Sequence, residues 1–282
     1  MIAKNLSRVY LILVPFVVAI LGFALGHSRF TLYIPIWLIH TGLMSWATWY
    51  LSKQFIQKQQ QRKSHLLIGI LFLIAPWLFI AIFAGMGPPP ITAEGWVATA
   101  TEQQVRYSIL VFSGVLITVG FTFLSNQLKQ AGEEVYSLLG LVAIFLAMPL
   151  FLLNMTYWGG FLTESFRIFV ASGSAKRPDW YFPLRAQFAW ISEIEVGLTY
   201  LATAAFGASL KMTRWLKSKA CWSYILFSLL GFLLGVLPDF SLMPLTVGSY
   251  FVSIPAIPFI IPYLMAVNLL SRSGTIQTAQ EI

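Results

Sequence analysis

The sequence predicts an all-α, polytopic integral membrane protein, with about eight transmembrane helices arranged as successive hairpins. Of its 282 residues, 58% are hydrophobic and only 10% are charged, whereas a soluble domain has about 25% charged residues. Such a chain lacks the polar surface that water requires, so we expect it in a bilayer. Because its loops leave no room for a separate domain, residues 1–282 are predicted to form a single transmembrane domain.

Eight apolar runs underlie the predicted helices. Each run is about 18–24 residues long, which at about 1.5 Å per residue matches a hydrocarbon core of about 30 Å. In chain order they lie at about 9–26, 32–51, 65–86, 107–125, 137–160, 186–209, 220–237 and 247–270. The last two runs are the least regular, and seven spans or a re-entrant final pair is the alternative. The prolines that interrupt them are Pro238, Pro244, Pro255, Pro258 and Pro262.

The distribution of basic residues predicts the orientation of the chain. With the N-terminus inside, 12 of the 18 lysines and arginines fall in inner segments and 6 in outer segments. The positive-inside bias therefore places both termini in the cytoplasm. The basic inner edge suits anionic lipid head groups, which explains the net charge of +8 without a nucleic-acid partner. We accordingly predict a multi-pass protein of the plasma (inner) membrane that has the lipid bilayer as its partner.

Two long connections are predicted on the outer side, at about 87–106 and 161–185. Both are rich in glycine, proline and tryptophan. Tryptophan is enriched where a membrane meets water. We therefore expect ordered aromatic caps there rather than another domain.

An internal repeat is a further hypothesis. In three odd-numbered runs a proline precedes a glycine by eleven residues, and proline bends a membrane helix while glycine lets backbones approach. Chance is the alternative, because membrane helices are rich in both residues. The pairs are Pro15 and Gly26, Pro76 and Gly87, and Pro149 and Gly160.

Two carboxylates in the sixth run are the first candidates for a functional site. Glu193 and Glu195 lie about 10 and 13 Å below the outer end of that run, a depth at which a carboxylate usually faces protein, a partner or water. Residues two apart on a helix point about 200° apart, so both cannot enter one site. Glu195 is the stronger candidate, because its helix face carries a polar stripe suited to a bundle interior. The other residues of that stripe are Ser192, Thr199 and Thr203.

Two further polar residues lie in the outer half of their runs, His40 in the second and Asn154 in the fifth. If the spans form a bundle, both are expected to surround one outward-opening polar cavity together with Glu195. The alternative is that all these groups are structural, with the histidine and the carboxylates hydrogen-bonded between helices. The predicted substrate-binding residues are Glu195, His40, Asn154, Glu193, Ser192 and Thr199.

Catalysis and cofactors have little support in the sequence. The single cysteine, Cys221, cannot form an internal disulfide. Of three histidines only His40 lies well inside a run, which excludes bis-histidine haem ligation within the bilayer. Phosphate-binding glycine loops and nucleophile elbows are absent from the sequence. We predict no metal, no cofactor and no catalytic residue, and enzyme activity is the less favoured class.

Three functions remain open. The first is the binding or translocation of a small or amphipathic molecule through an outward-facing polar pocket. The second is a non-catalytic membrane subunit or sensor that packs against partner membrane proteins. The third is a membrane-embedded enzyme acting on lipid or quinone, which is disfavoured because the sequence offers no paired nucleophile and base.

Overall fold

The computed structural model describes residues 2–24, 26–56, 61–174, 176–236 and 243–272, and these are almost entirely helical, without a strand among them. The predicted all-α class is therefore confirmed. A π-helical turn (Tyr157–Phe161) joins α8 to α9, and a 3₁₀ turn (Ile257–Phe259) leads into α13. The helices are α1 (Ile2–Ala24), α2 (Phe30–Ile56), α3 (Gln61–Ile74), α4 (Pro76–Ile80), α5 (Phe83–Met86), α6 (Ala93–Ala98), α7 (Ala100–Gln130), α8 (Val135–Thr156), α9 (Leu162–Ser172), α10 (Tyr181–Met212), α11 (Ser218–Val236), α12 (Met243–Val252) and α13 (Ile260–Ser271).

Several helical stretches are long and apolar enough to cross a membrane, as expected of a multi-pass membrane protein. Five stretches of the described chain qualify, or six if the bent pair of α12 and α13 counts as one span. The predicted second and sixth spans fall on α2 and α10, which are 27 and 32 residues long but are not among these stretches. The count of eight spans and the orientation therefore stay predictions. The five stretches are Ala3–Ala24, Ser64–Met86, Ala100–Gln130, Val135–Ser172 and Ser218–Val236.

Helix α13 lies at the centre of the bundle, in contact with α1, α2, α3, α10 and α11. Its side chains are mostly buried, and Tyr263 is 0% exposed. The Tyr263 hydroxyl donates a hydrogen bond of 2.7 Å to the carbonyl of Leu11 in α1. Near the end of the helix, Arg8 Nη2 donates to Asn268 Oδ1 at 2.9 Å. A helix that is apolar on all sides is stable in such a central position, where every face is covered.

Three of the apolar stretches depart from a regular α-helix. The stretch Ser64–Met86 breaks at Ala75, because Pro76 has no N–H to continue the hydrogen-bond ladder. The stretch Val135–Ser172 contains the π turn Tyr157–Phe161. The last pair, α12 and α13, is bent by 68° at a break that contains Pro255. These three irregular segments prove to be neighbours in space.

Two helix boundaries differ from the predicted connections. Helix α9 extends the fifth predicted run to Ser172, where Gly173 ends it with a φ of 62°, so the connection begins well after residue 161. Helix α7 begins at Ala100, before the predicted start at 107. Both extensions carry polar and charged residues, and a search for apolar runs misses helical turns that extend beyond the hydrocarbon core.

The Pro–Gly repeat is only partly reflected in the backbone. Consecutive long helices do pack as hairpins, α1 with α2, α3 with α7, and α8 with α10. However, Pro15 and Pro149 lie inside continuous helices, whereas Pro76 starts α4 after a break. Gly26 and Gly87 have φ values of 60° and 64°, and a Cβ atom at Gly87 would lie 2.6 Å from the Gly26 carbonyl carbon. Because the third glycine lies in the π turn instead, the three units are not equivalent.

Candidate ligand-binding cavity

A cavity of about 290 Å³ lies within the bundle, between α1, α4, α5, α7, the π turn and the break that precedes α13. Its wall is mainly apolar, with one guanidinium, one amide and several hydroxyl groups. A concave apolar pocket with a few polar groups is the usual form of a small-molecule site. The wall residues are Val18, Ala19, Gly22, Phe23, Trp77, Ile80, Phe83, Gly87, Pro88, Pro89, Arg106, Tyr107, Leu110, Asn154, Trp158, Ser192, Tyr250, Ser253, Ile254, Pro255, Ala256 and Ile257.

The three irregular helical segments meet at this cavity. Trp77 comes from α4, just after the break at Ala75; Trp158 comes from the π turn; and Ser253 comes from the break between α12 and α13. Irregular backbone at membrane depth is tolerated where it is buried in protein or lines a cavity. The departures from regular helix are therefore concentrated around one internal space.

Carbonyl groups that the breaks release are bonded by aromatic side chains. Trp37 Nε1 of α2 donates to the Leu78 carbonyl at 2.7 Å. The Tyr200 hydroxyl of α10 donates at 3.3 Å to the carbonyl of Val252, which is the last residue of α12. These bonds supply partners that a regular helix would have provided. The breaks are thus built into the packing of the bundle.

Asn154 connects the predicted Glu195 to the cavity. Its Nδ2 donates to Glu195 Oε1 at 3.0 Å, and its Oδ1 accepts from Trp158 Nε1 at 3.0 Å. Asn154 and Trp158 line the cavity, whereas Glu195 lies behind them and is 1% exposed. The other carboxyl oxygen, Glu195 Oε2, is buried without a partner among the described residues. Two of the predicted residues are therefore in direct contact, with the amide facing the cavity.

The polar stripe of α10 divides between the cavity and the helix itself. Ser192 is half-buried and lines the cavity. Thr199 is buried, and its hydroxyl donates to the Glu195 carbonyl at 2.7 Å. Thr203 likewise donates to the Thr199 carbonyl, at 2.8 Å. Because both threonine hydroxyls are bonded one turn back along α10, Ser192 is the residue of the stripe that meets the cavity.

His40 does not share this cavity, contrary to the expectation that it would lie beside Asn154 and Glu195. Its Nδ1 is 2.8 Å from the Tyr10 hydroxyl, in the contact between α1 and α2. Helix α2 packs against α1, α4 and α5. Those three helices form part of the cavity wall, so they separate α2 from the cavity. A tyrosine partner in the next helix is a packing contact that the sequence cannot specify.

Glu193 lies on the outside of the bundle. Its side chain is exposed, and the neighbouring Trp190 and Ile194 are 67% and 48% exposed. The separation of about 200° between Glu193 and Glu195 explains why one carboxylate is exposed and the other is buried. Glu193 is not part of the cavity wall.

Arg106 is the cavity residue that the sequence analysis missed. It is 7% exposed and is the one charged residue among the described residues of the wall. Its Nη2 donates to the Gly87 carbonyl at 2.7 Å and approaches the Met86 carbonyl at 3.4 Å. In the sequence Arg106 counts as one more basic residue of an outer connection. The available signal was its position one residue before the apolar run at 107–125. The helix that contains this run, α7, begins earlier, at Ala100.

The described wall of the cavity offers charged, polar and apolar contacts. Its wall combines a cation, the Asn154 amide and the hydroxyls of Ser192 and Ser253 with a large apolar surface. Comparison of the chain with protein-family models, with curated proteins and with solved structures gives no match.

Proposed function

We propose that this chain is a multi-pass protein of the plasma (inner) membrane that binds or translocates a small amphipathic molecule through its cavity. The observation that carries the proposal is the meeting of three irregular helical segments at one mainly apolar cavity. In transporters, substrate sites are typically formed by discontinuous helices near the middle of the bilayer. Transport of the bound molecule is therefore part of the proposal.

The composition of the wall supports an amphipathic ligand. Val18, Ile80 and Leu110 offer an apolar surface to a hydrocarbon body, while Asn154 and Ser192 offer polar contacts to a head group. A volume of about 290 Å³ is near the lower end of ligand pockets, which run from about 300 to 1,000 Å³. The ligand should accordingly be small.

Thermal stabilisation of the purified protein in phosphatidylcholine nanodiscs tests this function. A ligand present at about 100 times its Kd stabilises the folded state by about 2.7 kcal/mol, which should raise Tm by several degrees. We expect binders in a panel of small amphipathic compounds. Ala19→Trp, which places an indole in the cavity from α1, should abolish their effect. Ala24→Trp, at an exposed position of the same helix, is the matched control and should retain it.

Two results would contradict the proposal. One is that no compound of the panel raises Tm in the unaltered protein. The other is that Ala19→Trp responds as strongly as Ala24→Trp, which would place binding outside the cavity. Either result would favour the alternative of a non-catalytic subunit that packs against partner proteins.

A further inference from the structure

We propose that the ligand of this cavity carries a negatively charged head group and that Arg106 is the residue that binds it. This inference rests on the proposed function and names the chemical class of its ligand. It follows from the burial of Arg106, from the lack of an ion pair with any described carboxylate, and from the place of Arg106 in the cavity wall.

The guanidinium of Arg106 is buried but only partly bonded. The residue is 7% exposed, and both of its hydrogen bonds leave from one nitrogen, Nη2, to the carbonyls of Gly87 and Met86. Its Nε is buried without a partner among the described residues. Removing a charge from water costs on the order of several kcal/mol unless an opposite charge or a full set of hydrogen bonds compensates it. Two neutral carbonyls leave that compensation incomplete.

The acidic residue nearest along the helix interacts electrostatically with Arg106 but does not form an ion pair with it. Glu102 lies one turn earlier on α7, and its Oε2 is 3.5 Å from His27 Nδ1. Among the described residues the ion pairs within 4.0 Å do not include Arg106. Within the described part of the chain, the positive charge at the cavity wall therefore lacks a carboxylate in direct contact.

The surroundings of Arg106 suit a head group attached to an apolar body. Its guanidinium carbon lies 5.5 Å from the centre of the Phe83 ring, so an aromatic side chain covers part of the cation. The unused N–H groups of an arginine fork match a carboxylate or phosphate. Leu110, one turn further along α7, and Ile80 continue the wall as an apolar surface. A free amphipathic acid and an anionic lipid share this chemistry.

Charge selectivity of the unaltered protein is the first measurement. Octanoate, octanol and octyltrimethylammonium are titrated calorimetrically into the protein in phosphatidylcholine nanodiscs, and partition into empty nanodiscs is subtracted. The charge of Arg106 should make octanoate bind about tenfold or more tightly than octanol, with octyltrimethylammonium weakest. Equal affinity for octanoate and octanol would overturn the inference while leaving the proposed function standing. Failure of all three probes to bind would contradict the proposed function itself.

Variants then assign the selectivity to one residue. Arg106→Met should weaken octanoate binding about tenfold and leave octanol unchanged, whereas Arg106→Lys should retain part of the selectivity. Arg29→Met, an exposed arginine near the same end of the bundle, is the control and should behave as the unaltered protein. Should Arg106→Met fail to fold, Arg106→Lys and the probe comparison still decide the question. Retained selectivity in Arg106→Met would overturn the assignment.

A last arm distinguishes the source of the anion. Nanodiscs that contain phosphatidate in addition to phosphatidylcholine present an anionic head group from the bilayer. If phosphatidate displaces octanoate, the ligand class is an anionic lipid. If octanoate still binds with full affinity, the class is a small acid that enters from water. Both results support an anionic ligand.

Discussion

Two carboxylates separated by one residue on α10 have opposite surroundings. Glu195 is 1% exposed and accepts a hydrogen bond from Asn154, whereas Glu193 is exposed on the outside of the bundle. Through Asn154 and Trp158, the buried carboxyl is connected to the cavity wall. If the cavity binds a ligand as proposed, Glu195 is placed to affect that binding without touching the ligand.

We expect Glu195→Gln to fold normally and to change ligand affinity. Glutamine keeps the shape and an oxygen acceptor for Asn154 Nδ2, so Tm should stay within a few degrees of that of the unaltered protein. The carboxylate's ability to carry a charge or a proton is lost, and affinity for cavity probes should change several-fold. Glu195→Leu removes the acceptor as well, and leaving the buried amide of Asn154 without a partner should cost about 1–3 kcal/mol of stability. Calorimetric titration and thermal unfolding measure the two effects.

Glu193→Gln is the control for this prediction. Its exposed position predicts little effect on either measurement, since the side chain contributes nothing to the cavity wall. A purely structural role for Glu195 would appear as unchanged affinity in Glu195→Gln. A Glu193→Gln variant that loses binding while Glu195→Gln retains it would show that the wrong face of α10 was chosen.

At this scale, the sequence was sufficient to predict those properties of a residue that depend on its own helix alone. The contrast between Glu193 and Glu195 follows from helical geometry alone, and the polar stripe was visible from spacing. The partners were not visible, because they depend on which helices are neighbours. His40 pairs with Tyr10 rather than joining Asn154. Arg106 lies at the cavity because its guanidinium donates a hydrogen bond to the carbonyl of Gly87, the residue that follows α5.

At the scale of elements, the helix breaks depend on side chains from neighbouring helices. Trp37 Nε1 binds the Leu78 carbonyl, which lies in α4 close to the cavity residue Trp77. Replacing this donor leaves a carbonyl of a broken helix without that partner. The position of α4 in the cavity wall should therefore depend on α2, although the described side chains of α2 do not themselves line the cavity.

Trp37→Phe tests this dependence. Loss of the indole donor should lower the free energy of unfolding by about 1 kcal/mol, measured as a decrease in Tm, and weaken probe binding at the cavity by repositioning α4. Trp190→Phe removes an indole that is 67% exposed and should change neither quantity. An effect of Trp37→Phe no larger than that of Trp190→Phe would mean that the bond to the Leu78 carbonyl does not hold α4 in place.

The irregular elements were predicted unevenly. Prolines in the last two runs indicated a break or a re-entrant pair, and α12 and α13 are indeed bent at a break that contains Pro255. Pro15 likewise suggested a bend, yet α1 is continuous through this residue. The π turn at Tyr157–Phe161 had no proline to mark it. Whether a membrane helix breaks is decided by the groups that neighbours supply to its carbonyls, which a single sequence does not show.

At the scale of the whole molecule, apolarity predicted the class and much of the order of elements. All eight apolar runs fall on helices or on broken helical stretches, apart from residues such as 25 and 237 that lie outside the described chain. The central place of α13 was not predicted, because the sequence of an entirely apolar helix does not show whether lipid or protein surrounds it. Contacts such as Tyr263 with Leu11 distinguish the two cases.

Orientation in the membrane remains the broadest prediction, and one native cysteine makes it accessible to measurement. Cys221 is 0% exposed, so the unaltered protein should resist a membrane-impermeant maleimide and can serve as the background. Ile91 is 99% exposed and Ser174 is also exposed, and both follow helices that end at the predicted outer side. Ile91→Cys and Ser174→Cys should therefore react in intact cells. Lys217→Cys, at an exposed position between α10 and α11, should react only after permeabilisation.

The expected pattern follows from the excess of basic residues on the inner segments, where the positive-inside bias retains them. It also requires an even number of crossings between Ile91 and Ser174 and an odd number between Ser174 and Lys217. The stretches Ala100–Gln130 and Val135–Ser172 provide the first pair, and α10 provides the single crossing. Labelling of Lys217→Cys in intact cells together with Ser174→Cys would show that α10, the long helix that carries Glu193 and Glu195, does not cross the membrane. Labelling of Lys217→Cys alone would instead reverse the orientation and place the Arg106 end of the cavity on the cytoplasmic side.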